Sequence, residues 1–320
     1  MHPRIHSQRK ERMSGAVDYV LVTPVKNEEQ TIGRTIEAVL RQTIKPREWL
    51  IASDGSTDGT NSIISGYVAK HPWIRLFDLP PRKERCFSAV VANTMLAIAN
   101  LEVRDFSYLG LLDGDVDFEA DYYEKTMRHF EHDASLGLAG GVVVDPGEPR
   151  DRIPRNRRDI PGAVQFFRRE CFEAIGGLIA IPEGGWDGIA CVMARMSGYK
   201  TRLLEELVVD HLKPRNISKG GPLKRLWQMG QRDYAVGYHP CFEAVKCLSR
   251  IGNRPWLAGS CAWWCGYAGS WIMRRASIVP EPVRQHLRGE QLARMWQAFS
   301  LPVFASKCEA RSPLPRVEMP

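Results

Sequence analysis

The sequence lacks the features that define several common classes of protein. Its eight cysteines are scattered over 320 residues without a Cys-x-x-Cys pair, which excludes a disulfide-rich scaffold and indicates thiols in a reducing compartment. No paired zinc-ligand spacing and no aromatic RNA-binding signature is present, so the net charge of +7 does not indicate nucleic acid as a partner. The polar, basic N-terminus has no apolar signal-peptide core. We therefore expect a disordered tail over residues 1–16 and a cytoplasmic location.

Short apolar runs alternate with segments of helical periodicity through the first two-thirds of the chain. Because a strand and a helix recur at intervals of about thirty residues, parallel strand pairing with crossover helices is expected. The sequence thus predicts an α/β protein with a mainly parallel, Rossmann-like sheet and flanking helices. The expected strands lie at 17–23 (ended by Pro24), 49–52, 74–79, 108–112 and 201–209, and the expected helices at 31–42, 61–71, 88–100 and 187–197.

Acidic loops follow three of these strands. They contain Lys26-Asn27-Glu28-Glu29, Asp54 with Asp58, and Asp113-Gly114-Asp115 with Asp117. Ligands of open parallel sheets bind beyond the carboxyl ends of the strands, so these loops are placed to hold one. For the first loop, an acid-rich helix start is an equally good explanation. Asp58 fits a helix cap better than a ligand contact.

The spacing of Asp113 and Asp115 indicates a metal site. Carboxylates crowded at the end of a buried strand repel one another and need a counter-charge, which Mn²⁺ or Mg²⁺ can supply. His211 follows another predicted strand and could add an imidazole ligand, although a lone histidine is more often structural. Lys213 and Arg215 come next and could hold diphosphate oxygens.

A further acid, Asp187, follows two glycines and opens a predicted helix. In this position a carboxylate could take the proton from an attacking hydroxyl group. The competing explanation is a simple N-terminal cap of the helix.

Taken in order, these motifs resemble those of the family 2 glycosyltransferases over about residues 17–215. The resemblance implies a GT-A fold for 17–215, followed by a helical region over 216–320, and inverting transfer from a nucleotide-diphosphate sugar to a saccharide or lipid-linked acceptor. It also implies roles for individual residues: Pro24, Val25, Asn27 and Glu28 line the nucleotide pocket, Asp54 binds the base or ribose, Asp113 and Gly114 contact the donor, Asp113, Asp115 and His211 bind the metal, and Asp187 is the catalytic base.

Two departures qualify the resemblance. Many members carry a Glu-Asp pair at the base, whereas Trp186 precedes Asp187 here. The Gln-x-x-Arg-Trp signature of processive synthases is absent, which favours addition of a single sugar. By family analogy we expect a role in bacterial surface or exopolysaccharide synthesis.

Residues 255–273 form an uncharged, tryptophan-rich stretch with arginines on both sides. Three interpretations remain open: a membrane-surface or re-entrant segment, a buried core or dimer helix, and a true membrane span. The neighbouring basic residues favour anionic lipid headgroups and the inner face of the plasma membrane.

Two other functions compete with sugar transfer. One is a metal-dependent nucleotidyltransferase, which usually has a Gly-rich, basic loop after its first strand, where this chain is acidic. The other is a non-catalytic protein that keeps the fold; the presence of Asp115, Asp187 and His211 argues against it.

Overall fold

The computed structural model describes residues 18–80, 87–151, 156–214 and 221–300. The predicted disordered tail and Arg215 lie outside these ranges. Within them, strands and helices alternate through the first 211 residues, and only helices follow. The strands are β1 Tyr19–Val25, β2 Glu48–Asp54, β3 Ile74–Leu79, β4 Tyr108–Leu111, β5 Val116–Phe118, β6 Leu136–Val144, β7 Phe166–Arg168 and β8 Lys200–His211. The helices are α1 Ile32–Leu40, α2 Thr60–Val68, α3 Phe87–Ala99, α4 Tyr122–His132, α5 Arg169–Ala174, α6 Trp186–Met196, α7 Gly221–Val236, α8 Pro240–Leu248, α9 Trp256–Ile272 and α10 Glu281–Ser300.

All eight strands form one sheet in the order β3-β2-β1-β4-β7-β6-β8-β5. The first four are parallel to one another, as predicted, and β6 is parallel to β8. β7 is antiparallel to both β4 and β6, and β5 is antiparallel to β8. The α/β class and the mainly parallel sheet are therefore confirmed, with antiparallel joints that the sequence pattern did not predict.

We expected Pro24 to end β1, but the strand includes Pro24 and continues to Val25. Its pairing with β4 ends at Val22, whereas its pairing with β2 continues to Val25. Over this last stretch β1 has only one neighbouring strand. A proline is tolerated where one side of a strand is unpaired, because its missing N–H interrupts no hydrogen-bond ladder on that side.

Apolar residues cover both faces of the sheet, as expected for parallel strands buried between helices. One face packs against α1, α2 and α4, with Trp49, Ile36 and Phe130 in its core. The other packs against α3, α5 and α6, with Leu50, Phe167 and Ala190 in its core. A firm scaffold thus holds the loops at the carboxyl ends of the strands.

The C-terminal helices are attached to α6 in two ways. Ile189 and Val192 of α6 pack with Val236 of α7 and with residues of α10 in a small apolar cluster. A bidentate ion pair adds to this contact. Arg195 Nε lies 2.7 Å from Glu290 Oε1, and Arg195 Nη2 lies 2.8 Å from Glu290 Oε2. Both side chains are largely buried. Because α6 begins at Trp186, this attachment also supports the predicted catalytic loop.

No helix within the described ranges combines the length and the apolar composition needed to cross a bilayer.

We predict that Glu290→Gln lowers the free energy of unfolding by roughly 3 kcal/mol, because the buried Arg195 loses its bidentate carboxylate and keeps only the more exposed Asp159 as a charged partner. Burial alone would raise the pKa of Glu290, but hydrogen bonds and charge from Arg195 hold that pKa below its usual value. The stabilisation is therefore complete above the pKa of an unfolded glutamate, about 4.3, and is lost as the pH falls through the lower folded value.

Urea denaturation at pH 7 and at decreasing pH measures this effect. The control is Glu173→Gln, which breaks an exposed pair with Arg169. A Glu290 variant as stable at pH 7 as this control would contradict the prediction.

Candidate active site

Asp113 and Asp115 follow β4, at the carboxyl edge of the parallel strands. The residue between them must be small, because a Cβ on Gly114 would lie 2.7 Å from Val25 Cγ1. The loop after β1 therefore packs directly on the Asp113–Asp115 turn. This contact brings three predicted donor-site residues, Val25, Glu28 and Gly114, to one place.

His211 reaches the same turn through the antiparallel pair of β5 and β8. Val116 lies opposite His211 in the register, and Leu212 N–H donates to the Asp115 carbonyl at 2.7 Å. As a result, one potential ligand atom from each of Asp113, Asp115 and His211 lies within 4.8 Å of the others. Asp115 and His211 are each only 6% exposed.

The orientation of the His211 ring favours a cation between it and Asp115. His211 Nδ1 is hydrogen-bonded to the carbonyl oxygen of Lys213, so Nδ1 carries a proton. Nε2, which lies 3.4 Å from Asp115 Oδ1, is an acceptor in the neutral imidazole. Two buried acceptors face each other favourably only when a cation or a proton lies between them.

The third acid after β4 does not belong to this cluster. Asp117 pairs with Arg34 at 3.2 Å and also with Arg41, on the outer side of β5. Successive side chains of a strand alternate between its faces, which separates Asp117 from Val116. Asp117 is therefore part of a surface ion-pair network.

Negative charge accumulates around Asp113. Burial raises the pKa of Asp113 to about 7, and the charges of Asp115 and Glu28 act in the same direction. The charge of Asp187 also raises the pKa of Asp113, whereas the charge of Lys213 lowers it. The site thus contains more carboxylate charge than its own side chains neutralise.

Among the described residues, Lys213 brings a cationic side chain into this cluster. Its Nζ contacts Glu28 and lies 3.1 Å from Asp115 Oδ2. Burial would lower the pKa of Lys213, but the Glu28 and Asp115 carboxylates raise it overall. Lys213 is therefore held by carboxylates here, and the expectation that it binds diphosphate oxygens remains a prediction.

The loops after β1 and β2 are linked to each other. Asn27, at a φ of 56°, accepts from Thr57 N–H at 2.8 Å and donates its own N–H to Ser56 Oγ. Lys26 Nζ lies 3.2 Å from Asp54 Oδ2, whereas Asp54 Oδ1 is buried and has no hydrogen-bond partner among the described residues. A buried acceptor without a partner is suited to an N–H or O–H group of a ligand.

Asp58 has a structural role. Its carboxylate accepts from the Thr60 N–H at 3.0 Å and from the Glu29 N–H at 3.2 Å. It therefore holds the turn before α2 and joins it to the loop after β1, while the N-cap position of α2 itself is Gly59.

Asp187 lies in the first turn of α6, after two glycines at φ values of 88° and 89°. Its Oδ2 accepts from the Gly162 N–H at 3.2 Å. A Cβ on Gly162 would lie 2.7 Å from the Trp186 ring, so the turn at 162 fits closely against the start of α6. Asp187 thus approaches the metal-site acids from a different part of the chain.

Asp187 also lines a cavity of about 300 Å³ whose far wall is α7. Arg232, Asp233 and Tyr238 contribute to that wall. Burial would lower the pKa of Arg232, but Asp233, Tyr238 and Asp187 raise it. We did not predict these residues, because the contact between α6 and α7 joins segments about forty-five residues apart and leaves no local signal.

Residues 20–207, more than half of the chain, match the sequence model of Glycosyl transferase family 2. The chain belongs to this family. Over 218 residues it is 26% identical to the poly-beta-1,6-N-acetyl-D-glucosamine synthase of Staphylococcus aureus. The aligned residues make up 67% of this chain and 46% of the synthase. This family 2 glycosyltransferase thus spans about half the length of that relative.

Two solved structures show the same fold. One is the mannosyltransferase PcManGT from Pyrobaculum calidifontis in complex with GDP-Man and Mn²⁺, with a TM-score of 0.54 and 17% identity over 92% of this chain and 94% of that one. The other is TarS of S. aureus in complex with UDP-GlcNAc, with a TM-score of 0.51 and 11% identity over 86% and 81%. The GT-A fold of this family 2 glycosyltransferase is therefore confirmed.

We predict that Asp115→Asn weakens Mn²⁺ binding by about 100-fold or more, because it removes a buried anionic ligand that also faces His211. Titration of Mn²⁺ followed by electron paramagnetic resonance measures the affinity. Asp117→Asn is the matched control, since Asp117 lies two residues away but pairs with Arg34. Equal Mn²⁺ affinity of the Asp115 variant and the wild type would disprove the ligand role.

Proposed function

We propose that this chain is a metal-dependent, inverting glycosyltransferase that moves one sugar from a nucleotide-diphosphate sugar to an acceptor hydroxyl. The observation that carries the proposal is the convergence of Asp113, Asp115 and His211 within 4.8 Å, at the sheet edge where Asp54 also lies. Asp187 approaches this cluster closely enough to raise the pKa of Asp113.

The donor set suits a divalent cation. Two carboxylates and one imidazole fit Mn²⁺ well, and the carboxylates alone are also typical ligands of Mg²⁺. When bound, such an ion would stabilise the charge that develops on the departing diphosphate. The hydrogen bond from His211 Nδ1–H to the Lys213 carbonyl orients the ring so that Nε2 faces Asp115, where the cation would bind.

The linked loops after β1 and β2 support a nucleotide pocket. Asp54 Oδ1 offers a buried acceptor for a base N–H or a ribose hydroxyl, and Lys26 holds the other oxygen in place. Pro24, Val25, Asn27 and Glu28 form the adjoining wall. The two solved neighbours bind GDP-Man and UDP-GlcNAc, which makes a nucleotide-diphosphate sugar the natural class of donor.

In the proposed reaction Asp187 accepts the proton of the acceptor hydroxyl. The acceptor oxygen forms a bond to the anomeric carbon as the bond from that carbon to the diphosphate oxygen breaks. The bonding electron pair leaves with the diphosphate, and attack from the opposite face inverts the configuration. The hydrogen bond that the Gly162 N–H donates to the Asp187 carboxylate would orient it for proton transfer.

The cavity between α6 and α7 is the proposed acceptor site, because Asp187 lines it. Residues 17–215 would then form the catalytic domain, and the helical region 216–320 would complete the acceptor side. The likeness to a polysaccharide synthase supports a role in bacterial surface or exopolysaccharide synthesis. The missing Gln-x-x-Arg-Trp signature supports addition of one sugar at a time.

A nucleotidyltransferase is less consistent with the site. Glu28 and Glu29 occupy the loop after β1, where such an enzyme needs backbone N–H groups and cations for the triphosphate. Glu28 is moreover engaged with Lys213 and with Thr31.

We predict that Asp187→Asn leaves donor binding intact and lowers the transfer rate by roughly 10²–10⁴-fold, because an amide cannot accept the proton. Calorimetry with UDP or GDP and Mn²⁺ measures binding, and release of nucleoside diphosphate in the presence of acceptor measures turnover. Glu183→Gln, in the same loop, is the control. Near-normal turnover of the Asp187 variant would assign the base to another residue.

We predict that Asp54→Ala weakens nucleotide binding about 10- to 100-fold, the value of a hydrogen bond to a charged group, and leaves Mn²⁺ affinity unchanged. Calorimetric titration with UDP and GDP tests this. Asp78→Ala removes an exposed acid from the neighbouring strand β3 and serves as the control. Nucleotide affinity that is the same in both variants would rule out Asp54 as a donor contact.

A further inference from the structure

The helix α9 has the reverse of the usual amphipathic arrangement. Its protein-facing side consists mainly of small or polar-tipped residues, whereas its large apolar residues face outward: Trp271 is 63% and Ile272 is 74% exposed. A surface helix of a soluble protein normally buries such residues. The buried positions are Gly259, Ser260, Trp263, Gly266, Tyr267 and Ser270.

The small residues of α9 allow close packing against α7. A Cβ on Gly266 would lie 2.0 Å from the Trp227 carbonyl oxygen, and one on Gly230 would lie 2.0 Å from the Trp263 carbonyl oxygen. The inner face of α9 is therefore packed closely on α7, and Trp263 also donates to the buried Asp233 at 2.7 Å and contacts Lys246 of α8. Backbone-to-backbone contact through small residues is typical of helices that meet within or at a membrane.

The outward residues form one continuous stripe. Leu257, Cys261, Trp264, Trp271 and Ile272, here called the apolar stripe, recur at helical spacing on one face, over about 20 Å of helix. All five are exposed. An apolar surface of this extent on a soluble protein marks a binding site for a protein or a membrane.

The charges beside the stripe identify the kind of partner. No Asp or Glu occurs between residues 244 and 280, whereas Arg250 and Arg254 precede α9, and Arg274 and Arg275 follow it. All four arginines are exposed. A second copy of this chain would place arginines against arginines in a two-fold interface, without acids from this segment to neutralise them. Anionic lipid headgroups supply the missing negative charge.

We propose that the apolar stripe and the arginines at its ends, Arg254, Arg274 and Arg275, bind the surface of a membrane that contains anionic lipids, with α9 lying parallel to the bilayer. Arg250 instead lies 4.7 Å from the centre of the buried Trp263 ring. The helix of seventeen residues is about 25 Å long, short of the roughly 30 Å hydrocarbon core, which fits a surface orientation. Trp264 and Trp271, the two tryptophans of the stripe, suit the headgroup region. Three of the four tryptophans in 255–273 face outward in this way, whereas Trp263 lies in the protein interior.

This orientation has a consequence for the acceptor, which rests on the function proposed above. Trp227 of α7 is exposed, and its backbone packs on Gly266 of α9. Arg232, five residues later and about 7.5 Å along the helix axis, lines the Asp187 cavity. A saccharide whose lipid anchor stays in the same membrane could reach Asp187 along α7.

Flotation of the full chain with lipid vesicles tests membrane binding without any need for activity. The chain should float with vesicles of phosphatidylcholine and phosphatidylglycerol and much less with phosphatidylcholine alone, and salt should weaken the binding. Trp264→Gln with Trp271→Gln should reduce the partition coefficient about tenfold or more, because the apolar contacts are lost. Arg274→Gln with Arg275→Gln should reduce it about fivefold per arginine, on anionic vesicles only.

The matched control is Leu96→Gln with Met196→Gln, two side chains that are 42% and 44% exposed elsewhere on the surface. Nucleotide binding in every variant shows that the catalytic site is folded, so that loss of flotation and loss of the proposed chemistry are separate results. Absence of flotation by the wild type, or equal flotation of the stripe variant and the wild type, would overturn the proposal. The proposal would also be overturned if light scattering showed that the wild type forms a dimer without lipid and that the stripe variant does not.

Discussion

The repulsion among carboxylates at the end of β4 is the constraint on which the rest of the site depends. Asp113, Asp115 and Glu28 lie together because Gly114 packs directly on the loop after β1, and Lys213 neutralises part of their charge. Among the residues that the structure describes, the carboxylates at this edge outnumber the cations, which favours binding of a further cation. The same constraint explains why His211 presents Nε2 to Asp115, since an imidazole lone pair adds a ligand and no further negative charge.

The geometry of this cluster comes from two parts of the sheet. The parallel strands deliver Asp54 and Asp113 to one edge, as the strand periodicity predicted, because parallel strands all end on the same side. Delivery of His211 depends on the antiparallel pairing of β5 with β8, and β5 has only three residues. A strand that short carries no periodic signal, so the position of His211 after a predicted strand made it a candidate ligand, but the sequence pattern could not predict the pairing that brings it to Asp115.

The same limit explains the other differences from the sequence-based expectations. Asp117 was one of the acids in the predicted loop after β4, but it pairs with Arg34 and Arg41 on the outer side of β5. Arg232 was not predicted because its position depends on how α7 docks on α6. Contacts between distant segments are governed by packing and by buried pairs such as Arg195 with Glu290, and local patterns do not report them.

The helix α7 links the two functional surfaces physically. On one side the backbone of α9 packs directly against Gly230 of α7, and on another side Val236 of α7 packs against Ile189 of α6. Displacement of α9 from α7 would remove the Trp263 N–H that donates to the buried Asp233 carboxylate, while Lys246 of α8 would stay paired with it. Loss of that hydrogen bond and of the close packing at Gly230 costs free energy, so we expect α9 to move together with α7. The position of α9 therefore constrains the wall of the Asp187 cavity, whatever surface the apolar stripe contacts.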